Sequence, residues 1–60
     1  MEEEEIRLKI EFIMEKNGIS KPKVEDYDEN SRRQYYIDRK EYKIIFERYH
    51  AEVVEGKIGI

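Results

Sequence analysis

The stretch "EDYDENSRRQYY", Glu25 to Tyr36, decides how the two halves of this 60-residue chain are joined. It opens like a calcium-binding loop, because Asp26, Asp28 and Asn30 alternate as ligands would. Such a loop needs glycine at its sixth position and a bidentate glutamate at its twelfth. Counted from Asp26, those positions hold Ser31 and Ile37, while Arg32 and Arg33 place two positive charges inside the loop. No metal is expected there. A β-hairpin suits the stretch better. With a turn at Glu29-Asn30, Tyr27 faces Arg32, Asp26 faces Arg33 and Val24 faces Tyr35. Opposite charges and an apolar pair then fall in register across two strands. Glu-Asn is a weak turn sequence, so a four-residue loop is an equal alternative.

Working outward, "IDRKEYKIIFERYHAEVVEG" carries the clearest periodicity. Asp38 reads as an N-cap with Glu41 completing a capping box, and Ile37 with Tyr42 reads as a hydrophobic staple. Tyr42, Ile45, Phe46, Tyr49 and Val53 then follow steps of three and four, one face of a helix. Gly56 supplies a stop. On the N-terminal side, Ile6, Leu8, Ile10, Phe12 and Met14 alternate as in a strand. Ile6, Ile10, Ile13 and Met14 also make a helical stripe, and Ile13 fits only that template. Glu2 to Glu5 suit a helix N-terminus, and "EKNGI" reads as a glycine C-cap at Gly18. The helix is favoured.

The expected architecture is therefore α+β: a single small helix–β-hairpin–helix domain (αββα) over residues 1–60. Its parts are a helix over about 3–17, a hairpin over about 22–37, a helix over about 39–55 and an apolar tail over 57–60. A chain this short buries only about 60% of its unfolded surface. With no cysteine and one histidine it has neither disulfides nor a thiolate or histidine metal cage. Unusually good packing or self-association is left to stabilise it, and self-association is favoured.

Charge is uneven. The chain carries −3 overall, with −3 in residues 1–20, −1 in 21–38 and +1 in 39–60. That balance argues against general duplex binding, which wants a basic domain or stripe, and suits a basic protein partner. No run of about 18 apolar residues is present to span a membrane, and the acidic start "MEEEEIRLKI" is unlike a secretory signal. A cytoplasmic setting is expected.

Other motifs are weaker. "RRQYY" would suit base stacking or phosphate clamping, but four carboxylates just upstream compete for its arginines. "EKNGISKPKV" resembles the turn of a helix-turn-helix motif and is similar to the start of a double-stranded-RNA-binding domain, over ten to fifteen residues. The helix that would follow carries Glu25, Asp26, Asp28 and Glu29, which repel phosphates. His50 reads as a surface or interface imidazole with no nucleophile patterned beside it. No catalytic residues, cofactor or metal are expected, and the chain is not read as an enzyme.

What remains is surplus apolar surface. Leu8 and Phe12 lie about 160–200° around from the first helical stripe, and Ile44, Ala51 and Val54 lie off the second. The tail adds Ile58 and Ile60. One small core cannot cover both sides of both helices, so Leu8, Phe12, Ile44, Val54, Ile58 and Ile60 are expected in a homodimer interface. The functional expectation is a small acidic protein-interaction module, an inhibitor or adaptor that blocks a larger host protein by binding a basic surface. In composition it resembles the compact intracellular inhibitors and adaptors of phages and other mobile elements. Glu25, Asp26, Tyr27, Asp28, Glu29, Tyr35 and Tyr36 would form the partner-binding patch. The alternative is a small dimeric nucleic-acid-binding transcriptional regulator using Arg32, Arg33, Arg39, Lys40 and Lys43.

Overall fold

Two antiparallel helices and a long connector make up the computed structural model, which describes residues 2–59. Helix α1 spans Glu3–Lys16 and helix α2 spans Arg32–Val54; a single 3-10 turn, Val24–Asp26, sits between them. Among the described residues there is no strand. The α+β expectation, and with it the hairpin over 22–37, is overturned: the chain is a helical hairpin.

The first segment takes the helical of its two templates. Glu3, Glu4 and Glu5 occupy the first turn of α1, where the helix dipole favours negative charge. The helix ends in a Schellman motif. Gly18 N–H donates to Glu15 O at 3.0 Å and Ile19 N–H to Met14 O at 2.9 Å, with Gly18 at φ +81°. Helix α2 ends the same way: Gly56 N–H donates to Val53 O and Lys57 N–H to Glu52 O, with φ +80° at Gly56.

The second helix begins seven residues before the expected start at Arg39. Three physical reasons explain the difference. Arg32 to Lys40 contains no glycine or proline and consists mainly of good helix formers. Tyr35 lies seven residues before Tyr42, as Tyr42 does before Tyr49, so the half-buried stripe runs back through the supposed second strand. An isolated two-stranded hairpin is also marginal without a third strand or a broad face to rest on. The expected cross-strand pairs are absent, because Arg32, Arg33 and Tyr35 are helical.

A reciprocal side-chain pair is found ten residues before the expected capping box, at the entry to the same helix, and it bonds none of the helix's own amides. Asp28 Oδ1 accepts the Ser31 N–H at 2.8 Å, and Ser31 Oγ accepts the Asp28 N–H at 3.0 Å. This reciprocal pair closes the approach to α2. Asp38 and Glu41 form no such box, and Ile37 is exposed on the outer side of the helix rather than stapled to Tyr42.

Among the described residues, Ile10 and Met14 on α1 are the two fully buried side chains. Around them Ile6 and Ile13 of α1, and Tyr42, Ile45, Phe46, Tyr49 and Val53 of α2, are half-buried where the helices pack. The molecule is long and thin, 41 × 19 × 16 Å with a radius of gyration of 13.1 Å. A compact 60-residue chain would have a radius near about 10 Å. A single pair of helices buries one stripe of each, and the opposite stripes stay in water.

Candidate interaction surfaces

The connector is held against α2 by a polar clasp. The Tyr27 hydroxyl donates to Asp38 Oδ2 at 2.6 Å, and Gln34 Nε2 donates to Asp38 Oδ1 at 2.7 Å. These two donors hold the Asp38 carboxyl below its ordinary range, Tyr27 contributing more than Gln34. The same bond, with desolvation and the carboxylate's charge behind it, pushes the Tyr27 phenol above its ordinary value. Asp28 is held low by the Ser31 hydroxyl and then by the Ser31 N–H.

Tyr27, Tyr35 and Tyr36 form one aromatic cluster. Tyr27 meets Tyr35 edge-on with ring centroids 5.2 Å apart, and Tyr35 meets Tyr36 at 5.5 Å. Tyr27 and Tyr35 are half-buried, whereas Tyr36 is exposed. Glu25, Asp26, Asp28 and Glu29 are all exposed. The structure thus brings the expected patch together around a connector fixed at Tyr27, although none of it is a strand. The sequence did not single out Asp38 as the residue holding this connector. Its helical spacing from Gln34 was the available signal, hidden by its resemblance to an N-cap.

Two outer apolar faces lie on opposite sides of the hairpin. Leu8 and Phe12 on α1 are 54% and 58% exposed, and Ile44 and Val54 on α2 are 56% and 72% exposed. Tyr36 and Ile37 extend the α2 face. Lys16 Nζ stands 4.8 Å from the Phe12 ring centroid, a cation–π contact that covers only part of that ring. Gly59 lines a shallow depression with Leu8, Phe12 and Ile13, so the C-terminal tail returns to the α1 side. Ile58 is half-buried; Ile60 lies outside the described residues.

A third surface is basic and aromatic. Arg7, Lys21, Arg39 and Lys43 border a groove between the helices, with Tyr35, Tyr42 and Phe46 also lining it. Glu11 is its one carboxylate and is paired with Arg7 at 3.3 Å and Lys21 at 3.6 Å. Burial raises the Tyr42 phenol pKa, with the Glu11 charge adding to it. Arg32, Arg33 and Lys40 stand outside this groove, so the five-residue basic patch read from sequence is divided. At the far end, His50 stacks on Phe46, ring centroids 6.4 Å apart, beside Glu3, Glu4 and Arg7.

Among the described residues no three carboxylate or imidazole side chains converge as metal ligands would. None of the described helices is long and apolar enough to cross a membrane. The fold class is that of a helical hairpin with a clasped acidic connector. Compared with protein-family models, curated proteins and solved structures, the chain matches none.

Proposed function

We propose that this chain is a small protein-interaction module, an adaptor or inhibitor that acts in the cytoplasm by docking onto a larger protein. One observation carries the reading: among the described residues two side chains are fully buried, while large apolar residues on two opposite faces remain about half or more exposed. Each such side chain left in water forgoes about 1.5–3 kcal/mol of burial. A domain's whole stability is about 5–15 kcal/mol, so covering these faces by a partner is a substantial gain. The acidic connector adds direction. Glu25, Asp26, Asp28 and Glu29 project from a segment held by Tyr27 and Asp38, and their combined field steers the module towards a basic surface.

Affinity capture with the full chain tests this, run beside two variants. Leu8→Glu/Phe12→Glu removes one apolar face, and Glu25→Gln/Asp26→Asn/Glu29→Gln removes most of the connector's charge. The expected result is a stoichiometric protein partner lost with either variant and weakened by salt. A partner retained by both variants would overturn the reading.

The basic and aromatic groove favours a second reading, a nucleic-acid-binding regulator. Aromatic rings flanked by cations suit single strands, against an overall charge of −3. A gel shift on single strands that weakens steeply with salt and is abolished by Arg39→Ala/Lys43→Ala would establish it in place of the first.

A further inference from the structure

The outer face of α2 is complementary to itself. At about 100° per residue, Ile37, Ile44 and Ala51 fall within about 40° of one another on the side facing away from α1. All three are exposed. Lys40 and Glu47 flank this stripe on one side, Glu41 and Arg48 on the other, and all four are exposed. None of the four forms an ion pair among the described residues, although α1 ties up Glu4, Arg7, Lys9 and Glu11 in such pairs. Each edge of the stripe therefore presents one cation and one anion seven residues apart, without an ion-pair partner among the described residues.

We propose that this face pairs with the same face of a second copy, with the two α2 helices antiparallel about a two-fold axis at Ile44. In that arrangement Ile44 meets Ile44 of the second copy, and Ile37 meets Ala51. A two-fold perpendicular to the plane of the helices keeps each flank opposite the same flank. Lys40 then lies by Glu47 of the second copy, and Glu41 lies by Arg48. At the rim the exposed ring of Tyr36 lies over Val54 of the second copy, covering two of the most exposed apolar side chains. Such ion pairs contribute little individually; they fix register and direction while the apolar stripe supplies affinity.

Two features select antiparallel over parallel. A parallel pair would leave Tyr36 and Val54 uncovered. It would also set the two acidic connectors side by side, because each leads directly into an α2 N-terminus. Antiparallel pairing puts Glu25, Asp26, Asp28 and Glu29 of the two copies at opposite ends and opposes the helix dipoles. It leaves Leu8 and Phe12 free on the far sides. The proposal deepens the interaction-module reading by naming the occupant of one of its faces; the larger partner is then left with the α1 face and the acidic connectors.

The chain has no cysteine, so single cysteines report the geometry directly. Packed helix axes stand about 8–10 Å apart, which brings facing Cα atoms to roughly 3.5–5.5 Å, overlapping the span of a disulfide. The expected result is that Ile44→Cys links to itself under mild oxidation. Ile37→Cys and Ala51→Cys each remain unlinked alone but link to one another when mixed. Self-linking of Ile37→Cys and Ala51→Cys would mean parallel pairing and would overturn the proposal. A chain that sediments as a 7.4 kDa monomer at millimolar concentration would also overturn it, while leaving partner capture through Leu8 and Phe12 untouched. Charge reversal gives a second readout on the uncrosslinked protein. Lys40→Glu is expected to weaken dimerisation about tenfold or more, and adding Glu47→Lys to restore it. Restoration by Glu41→Lys instead would indicate parallel flanks and sink the antiparallel register.

Discussion

The hydroxyl of Tyr27 reaches Asp38 across eleven residues of sequence, donating a hydrogen bond of 2.6 Å that joins the connector to the second turn of α2. Gln34 donates to the other carboxylate oxygen from one helical turn earlier, so both oxygens of Asp38 are occupied. Tyr27→Phe removes the bond and keeps the ring against Tyr35. Backbone amides of the 3-10 turn, Asp26 and Tyr27 above all, should then exchange with solvent faster, while the helical circular dichroism stays unchanged. Equal exchange in the two proteins would show that the ring alone holds the connector.

The same contact contributes to the pH dependence of the fold, together with Asp28 and Tyr42. Asp28 and Asp38 have folded-state pKa values below the ordinary 3.8, so the stability they contribute is complete above that value. It is lost as pH falls through their lower folded values. Tyr27 and Tyr42 behave oppositely: their folded values lie above 10.0, so their contribution is complete below pH 10 and lost as pH rises through the folded values. Thermal melts across pH should therefore show a plateau with an acid limb below about pH 4. Asp38→Asn should shorten that limb, and Tyr27→Phe should remove part of the alkaline one.

Ile10→Ala and Met14→Ala each empty a fully buried position of a very small core. The expected cost is about 2–5 kcal/mol apiece, a large share of what a domain this size possesses. Leu8→Ala, on the opposite face of the same helix, should shift the chain's own melting free energy by no more than about 0.5 kcal/mol. Urea unfolding of the three variants separates them. A Leu8→Ala cost matching that of Ile10→Ala would contradict the orientation of α1.

That orientation was legible in the sequence, because Ile13 fits the helical stripe and not the alternating one, and Gly18 marks the helix end. The opposing faces were legible too, since Leu8, Phe12 and Ile44 can be placed by angle alone. The connector was not. "RRQYY" shows the tyrosine and charge pattern of a strand, and its helical character depends on Tyr35 falling seven residues before Tyr42 on a stripe that only packing against α1 makes visible. Asp38 carries the composition of an N-cap, yet its partner is Tyr27, and no local pattern encodes a contact across eleven residues. Periodicity reports which side of an element is apolar; it does not report where a helix begins once polar residues can be satisfied through tertiary contacts. The grouping of Arg7 and Lys21 with Arg39 and Lys43 was hidden for the same reason.

Gly18 sits at φ +81° with open space where a Cβ would lie, so any substitution there acts through the backbone alone. Gly18→Ala should destabilise the chain by about 1–2 kcal/mol, the cost of holding an L-residue in the left-handed region. Gly59→Ala meets no neighbour and no positive φ, and should change stability by less than about 0.5 kcal/mol. Chemical denaturation of the pair distinguishes backbone strain from a general effect of added methyl groups.

The start of α2 depends on Asp28 and Ser31 together. Asp28 Oδ1 accepts both the Ser31 N–H, at 2.8 Å, and the Ser31 hydroxyl, at 2.9 Å, while Ser31 Oγ receives the Asp28 N–H. The first four amides of a helix lack partners within it; here the pair bonds none of them and acts by fixing Ser31, the residue at which the helix is entered. Asp28→Ala removes the carboxylate and should fray the first turn, raising exchange at Tyr35 to Asp38, the first amides with a backbone partner in this helix, and lowering helicity by about three to four residues. Asp28→Asn keeps an acceptor for the Ser31 N–H and should retain the turn at neutral pH. It lacks the titrating carboxylate, so its exchange rates at Tyr35 to Asp38, corrected for intrinsic pH dependence, should rise less between pH 6 and pH 2 than the wild type's, with the Asp38 contribution left in place. In the wild type the same corrected rates should rise as Asp28 protonates. If Asp28→Ala leaves those four amides as protected as before, the helix begins by virtue of its half-buried tyrosine stripe and not by the Asp28–Ser31 pair.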